Sequence, residues 1–242
     1  MHAATTSNKA GQRIARSLSE LTYACVTKPW QTIATASTSE GLLELRKRGE
    51  TEHLIVIGGR VLMNSAAQRS EQALATVALS ERSSVRRVLI SGLGMGYTLR
   101  AALDELPRDA RVIVAEIDPT IVEWCRGPLA AATNHAIEDR RVSVELGDVA
   151  QLIARSRGFD AIILDLYEGP YDAVGCFSLR GLADIRRALA PNGVLAVWSE
   201  DAAPAFTKRL DRAGFTFTSH RVGRGRTHVV YCAAPRSVSN SR

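Results

Sequence analysis

The residues best suited to chemistry in this chain are three glycines, Gly92, Gly94 and Gly96, and four acids, Glu116, Asp148, Asp165 and Glu168. The apolar run Val88-Leu89-Ile90-Ser91 stops at Gly92-Leu93-Gly94-Met95-Gly96, and a helical pattern from Tyr97 to Leu106 follows. A strand, a glycine turn and a helix in that order form the first unit of a nucleotide-binding sheet. Glycine lets the backbone approach a ligand where a Cβ would collide, and the free N–H groups of the helix face the turn. Glu116 closes the run Arg111-Val112-Ile113-Val114-Ala115, twenty residues after Gly96. A carboxylate there can accept hydrogen bonds from both hydroxyls of a ribose. Asp148 follows Gly147 at the end of a third run, where it can accept from an exocyclic amine of a base, cap the next helix, or do both. Asp165 ends Ala161-Ile162-Ile163-Leu164 as either a ligand-facing acid or a turn-forming one. Glu168, three residues on, is either a site acid or a solvated loop acid. In an open parallel sheet, ligands sit beyond the carboxyl ends of the strands, and here acids stand at three successive ends.

The elements that must position these groups alternate in type. Strands are expected at Arg87–Ser91, Arg111–Glu116, Val142–Leu146, Phe159–Leu164 and Val194–Trp198, with helices at 97–106, 119–131, 149–156, 178–189 and 203–213. Pro119 suits a first helical turn, and Pro191-Asn192-Gly193 ends one helix and turns into the next strand. Phe215–His220 and Thr227–Ala233 close the chain as two strands, one of them antiparallel. The expected fold is therefore α/β, a Rossmann-like, seven-stranded, mostly parallel sheet with helices on both faces. Ahead of it, residues 31–63 read as a small antiparallel β-unit whose Gly58-Gly59 is a two-residue hairpin signal. Ser65-Ala66-Ala67-Gln68 reads as a capping box that opens a helix to about Leu79. The organisation expected is a mobile arm over 1–30, the β-unit with its connecting helix over 31–80, and the ligand-binding domain over 81–236.

Composition restricts the class. No apolar run reaches the roughly 18 residues that span a bilayer. Met1 to Leu21 is polar, with Lys9, Arg13 and Arg16 in it, so no secretory leader is expected and a cytoplasmic location is. Cys25, Cys125, Cys176 and Cys232 stand far apart, as free thiols would, and His53, His135, His220 and His228 show no ligand spacing, so no metal is expected. The net charge is +6. Its basic clusters, such as Arg46-Lys47-Arg48 and Arg186-Arg187, carry no interleaved aromatics, which makes solvated faces the better reading and nucleic acid a poor partner.

The G-x-G-x-G spacing resembles that of S-adenosylmethionine (SAM) methyltransferases and their relatives, whose sulfonium nucleoside has no pyrophosphate. From Val88 to about Gly169 the chain is similar to the spermidine synthase superfamily, aminopropyltransferases that share the methyltransferase fold. The likeness lies in Val88-Leu89-Ile90 with its glycine loop, Thr98-Leu99-Arg100, Val114-Ala115-Glu116-Ile117-Asp118, Asp139-Arg140-Arg141-Val142, Leu146-Gly147-Asp148 and the Asp165-x-x-Glu168-Gly-Pro loop. Upstream, Gly58-Gly59-Arg60-Val61-Leu62-Met63 and Gln68-Arg69-Ser70-Glu71 resemble that family's hairpin and Q-x-S-E segment, so the likeness covers roughly residues 40–200.

The resemblance implies a donor, SAM or its decarboxylated form, held by Gly92, Gly94, Gly96, Glu116, Asp148 and Gln68, with Asp165 and Glu168 at the chemistry. Tyr167, Tyr171 and Asp172 share the loop and can shape an acceptor pocket. The chain departs from the family pattern in three places. Met95 stands where the family has an Asp for the donor's amino group, Glu168 replaces an Asp, and Gln72-Ala73-Leu74-Ala75 stands where acids and a Tyr-His pair grip a diamine. The leading expectation is accordingly methyl transfer from SAM to a small-molecule acceptor. The alternatives are aminopropyl transfer from decarboxylated SAM to an unusual amine, and a non-catalytic nucleoside-binding or RNA-associated protein. A homodimer is an open option.

Overall fold

The computed structural model describes residues 28–80, 82, 84–166, 169–170, 175–223 and 227–236. Glu168, Tyr167, Tyr171, Asp172 and the arm up to residue 27 lie outside the described residues.

Four strands, β1 (Gln31–Thr38), β2 (Gly41–Arg48), β3 (Glu52–Ile57) and β4 (Arg60–Asn64), pair antiparallel in chain order. Gly58 and Gly59 both take positive φ, 51° and 84°, as the two-residue turn between β3 and β4 requires. Leu43 pairs with Ile57 and Leu45 with Ile55, so four apolar side chains share the face that joins the main core.

The helix that follows starts differently from the sequence expectation. Asn64, one residue ahead of the expected cap, accepts from the Ala66 N–H at 2.9 Å and opens a short 3-10 turn, Ser65–Ala67. Ser65 is turned inward, where its Oγ accepts from the His53 N–H at 2.9 Å. The α-helix α1 (Arg69–Leu79) begins only after Gln68, and its Leu74, Ala75, Ala78 and Leu79 are buried one turn apart.

The second sheet has seven strands: β5 (Arg87–Ser91), β6 (Arg111–Glu116), β7 (Val142–Leu146), β8 (Phe159–Leu164), β9 (Leu189–Ser199), β10 (Phe215–Val222) and β11 (His228–Pro235). Their spatial order is β10-β11-β9-β8-β5-β6-β7. Strands β5 to β9 run parallel, and β11 lies antiparallel between β9 and β10. The helices are α2 (Tyr97–Glu105), α3 (Pro119–Arg126), α4 (Val149–Arg155), α5 (Leu179–Ala188) and α6 (Pro204–Arg212). Two elements depart from expectation. Helix α3 stops five residues early at Gly127, whose N–H bonds back to the Glu123 and Trp124 carbonyls, and a 3-10 turn at Ala130–Thr133 follows. Strand β9 starts before Pro191 rather than after it. Its register with β8 jumps from Phe159 opposite Leu189 to Ala161 opposite Val194, so Pro191-Asn192-Gly193 is absorbed in a bulge.

Alternation along the strands sorts the core into two faces. Val88, Ile90, Val112, Val114, Ala161, Ile163, Val194 and Ala196 pack under α1, α2, α3 and the small sheet. Leu89, Ile162, Leu164, Leu195 and Val197 face α4, α5 and α6. Continued by two residues, this period places Asp165 and Trp198 on the α1 side, at the carboxyl edge of the sheet.

Candidate active site

The glycine loop joins β5 to α2, and Gly92, Gly94 and Gly96 all have positive φ, 85°, 51° and 85°. A Cβ on Gly92 would lie 1.8 Å from the Asp165 carbonyl oxygen, so this glycine lets the end of β8 close against the loop. Gly94 lies against the Met63 thioether of β4, and the Met95 N–H donates to Met63 Sδ at 3.3 Å. The Met95 side chain is fully buried in the core. The methionine that meets the loop is therefore Met63, from the small sheet. Behind the loop, the Cys125 thiol donates to the Gly94 carbonyl at 3.2 Å, and burial, helped by the charge of Glu116, pushes its pKa up to about 12.

Glu116 stands at the end of β6 with 8% of its surface exposed. Its Oε2 accepts from the Leu93 N–H at 2.8 Å, and Oε1 accepts from the Ile117 and Asp118 N–H groups at 2.8 and 3.0 Å. The carboxylate thus stitches the glycine loop to the end of β6. Two oxygens offer about four acceptor sites, so Oε2 keeps capacity for a hydroxyl. Ile117 beside it is 73% exposed. Asp148 caps α4, its Oδ1 accepting from the Ala150 N–H at 2.8 Å. It also lines a hollow of about 70 Å³ with Leu146, Gly147 and Gln151. Gln151 is shared with a second hollow of about 290 Å³ that Cys176, Arg180 and Asp184 help to wall.

Asp165 follows β8 and meets groups from two helices. Thr98 Oγ1, in the first turn of α2, donates to Asp165 Oδ2 at 2.5 Å. Removal of the carboxyl from water pushes its pKa up to about 7; the Thr98 bond opposes that rise and the nearby charge of Glu71 adds to it. The residue as a whole is half-buried. Glu71, in the first turn of α1, accepts from Ser70 Oγ at 2.7 Å. Tyr97 lies in the same cluster. Burial raises its phenol pKa, a hydrogen bond with Ser65 opposes this, and the charge of Glu71 reinforces it. Gln68 is half-buried one turn before Gln72, whose Nε2 donates to Gln68 Oε1 at 3.3 Å.

The structure therefore brings Gly92, Gly94, Gly96, Glu116 and Asp165 together around one turn, with Asp148 at the end of the strand next to β6. It adds Glu71, Thr98 and Tyr97, which sequence reasoning quoted as parts of motifs or of a helix but did not place at the site. No local signal could assign them, because the contact forms between first turns of helices far apart in the chain.

An open α/β sheet of this strand order, with a glycine turn and acids along its carboxyl edge, has the architecture of a Rossmann-like fold. Residues 68–210, more than half of the chain, match the spermine/spermidine synthase domain, and the chain belongs to that family. It is 29% identical over 156 residues to the polyamine aminopropyltransferase of Mycobacterium tuberculosis, covering 62% of this chain and 29% of that one. It is 25% identical over 181 residues to the enzyme of that name from Clostridium tetani, covering 69% and 64%. The chain thus spans less than two thirds of the length of either relative. The fold is also similar to a crystal structure of spermidine synthase from Thermotoga maritima, with a TM-score of 0.69, 19% identity and coverage of 86% and 74%. Among the described residues no helix is long and apolar enough to cross a membrane.

Proposed function

We propose that this protein transfers an aminopropyl group from decarboxylated SAM to a small amine. This reverses the order of the two enzyme readings drawn from the sequence, in which methyl transfer led. The names of both relatives support aminopropyl transfer. So does the charge of the site. Glu71 and Asp165 come near each other from two elements, and paired acids favour a donor tail that carries an ammonium alone over one that also carries a carboxylate.

The observation that carries the reading is Asp165, an acid at a strand end held by Thr98 and tuned to about 7. An alkyl ammonium keeps its proton up to about pH 10, so an acceptor amine needs a base to become a nucleophile. A base titrating near the working pH suits that task. The free amine nitrogen attacks the propyl carbon bonded to the sulfonium. A C–N bond forms as the C–S bond breaks, and the electron pair passes to sulfur, leaving neutral 5′-methylthioadenosine. The proton shed by the amine goes to the Asp165 carboxylate and then to water. In this reading Glu116 holds the ribose, Asp148 the base amine, Ile117 supplies an apolar face for the base, and Gly92–Gly96 and Gln68 line the rest of the donor. Alignment supplies much of the rate.

Methyl transfer is the second reading, favoured by Met95, which puts no carboxylate inside the glycine loop. The two leave different products. With decarboxylated SAM and a panel of short amines, mass spectrometry should find 5′-methylthioadenosine. Formation of S-adenosylhomocysteine from SAM, with no methylthioadenosine from the decarboxylated donor, would reverse the assignment.

A further inference from the structure

Each of the two sheets ends in two edge strands, and a bare edge is a template for pairing with another chain. Three of these edges are blunted. β1 is interrupted by an irregularity between Thr32 and Ala34, β4 has five residues beside a register shift, and β7 has five residues. β10 is different. It pairs with β11 over eight residues, from Phe215 opposite Pro235 to Val222 opposite His228, in one unbroken register. It holds no proline and no acid, and Thr216 to Arg221 are all exposed, the ring of Phe217 among them.

One bond fixes which backbone groups of β10 face outward. The Arg236 N–H donates to the Gly214 carbonyl at 2.8 Å, one pair beyond Phe215 and Pro235. Bonded and non-bonded pairs alternate along an antiparallel ladder. Thr216, Thr218 and His220 therefore bond to β11, while Phe217, Ser219 and Arg221 point their N–H and C=O groups away from it. Pro235, which has no N–H to give, stands in a non-bonded pair, as this phase requires. Side chains alternate between faces along a strand, so Phe217, Ser219 and Arg221 share the face on which Phe215 is buried in the core.

We infer that β10 is an interaction surface whose partner is a second copy of this chain, joined about a two-fold axis at Ser219 so that the two seven-stranded sheets run on into one another. In that arrangement residues 216–222 of one chain lie antiparallel to the same residues of the other. Outward groups meet outward groups: Ser219 faces Ser219, and Phe217 faces Arg221 on both sides of the axis, with about six backbone bonds between the chains. A guanidinium opposite an aromatic ring is a favourable cross-strand pair. Among the described residues no acid pairs with Arg221, so its charge is free for that contact. Thr218 falls opposite His220, and no like charges oppose one another.

Sedimentation equilibrium of the full chain up to about 100 μM should show a monomer–dimer equilibrium. Ser219→Pro removes an N–H that faces the partner and none that bonds β11, and Phe217→Lys sets an ammonium opposite Arg221. Each should raise the Kd of the dimer at least about tenfold, with the far-UV circular dichroism unchanged. Adding Arg221→Glu to Phe217→Lys places opposite charges across the axis and should restore the dimer. If Ser219→Pro fails to fold, the lysine variant and its charge-paired double variant carry the test. A monomer throughout the range overturns the inference, and slow amide exchange at Phe217, Ser219 and Arg221 in that monomer would give the edge to the chain's own termini instead. A dimer insensitive to both single variants, or a double variant that stays monomeric, overturns it as well.

Discussion

Thr98 Oγ1 donates to Asp165 Oδ2 at 2.5 Å and so ties the first turn of α2 to the end of β8. The bond favours the charged carboxylate, whereas burial and Glu71 favour the neutral acid, and burial is the largest of the three. The outcome, a carboxyl titrating near 7, has consequences for stability and rate.

For stability, the ordinary value of 3.8 describes the unfolded chain and about 7 the folded one. Between them the folded protein holds a proton that the unfolded chain has released. This contribution to stability is complete below about pH 4 and is lost as pH rises through about 7. Asp165→Asn cannot ionise, so its Tm relative to the parent should rise from pH 4 to pH 8. A Tm difference that stays flat across that series would contradict the buried, neutral-prone carboxyl.

For rate, Thr98→Val keeps the shape and removes the bond that lowers the pKa. The rising limb of the pH–rate profile for methylthioadenosine formation should move to higher pH, while donor affinity changes little. An unmoved limb would mean that Asp165 is not the group being titrated.

Glu116 combines two roles, one of them structural. Its carboxylate accepts the Leu93, Ile117 and Asp118 N–H groups, and a hydrogen bond to a charged group contributes about 1.5–3 kcal/mol. Glu116→Ala should lower stability by at least about 2 kcal/mol in urea unfolding. It should also weaken 5′-methylthioadenosine binding at least about tenfold by calorimetry. Loss of binding with stability intact would show that the three backbone bonds matter little.

The glycines of the loop should separate by mechanism. Gly96→Ala meets only Thr133 Cγ2 at 3.4 Å and suffers mainly from its φ of 85°, about 1–2 kcal/mol. Gly92→Ala adds a collision with the Asp165 carbonyl and should cost about 1–3 kcal/mol more. Equal losses in the two unfolding curves would show that the end of β8 does not close on the loop.

Much of this molecule is written locally. Buried alternation gives Val88–Ser91, Arg111–Glu116 and Phe159–Leu164 their strand character, Gly58-Gly59 gives the hairpin, and the glycine turn with Glu116 and Asp148 marks the candidate binding edge. Burial on one face and positive φ act within a few residues, so spacing records them. Local signals misplaced an element where two of them compete. Asn64 took the cap expected of Ser65, Gly127 ended a helix that its apolar period would continue, and a bulge took Pro191-Asn192-Gly193 into β9. Strand order decided the rest. Because β8 lies between β5 and β9, Asp165 at its end meets the glycine loop on the β5 side. Because α1 and α2 start at the same edge, Glu71 and Thr98 reach the same carboxyl. Such contacts join residues tens of positions apart, and their energy exists only once the chain has closed on itself. The amino-acid order alone determined the fold and where its candidate ligand edge lies, and tertiary packing decided which side chains set the charge and the hydrogen bonding of that edge.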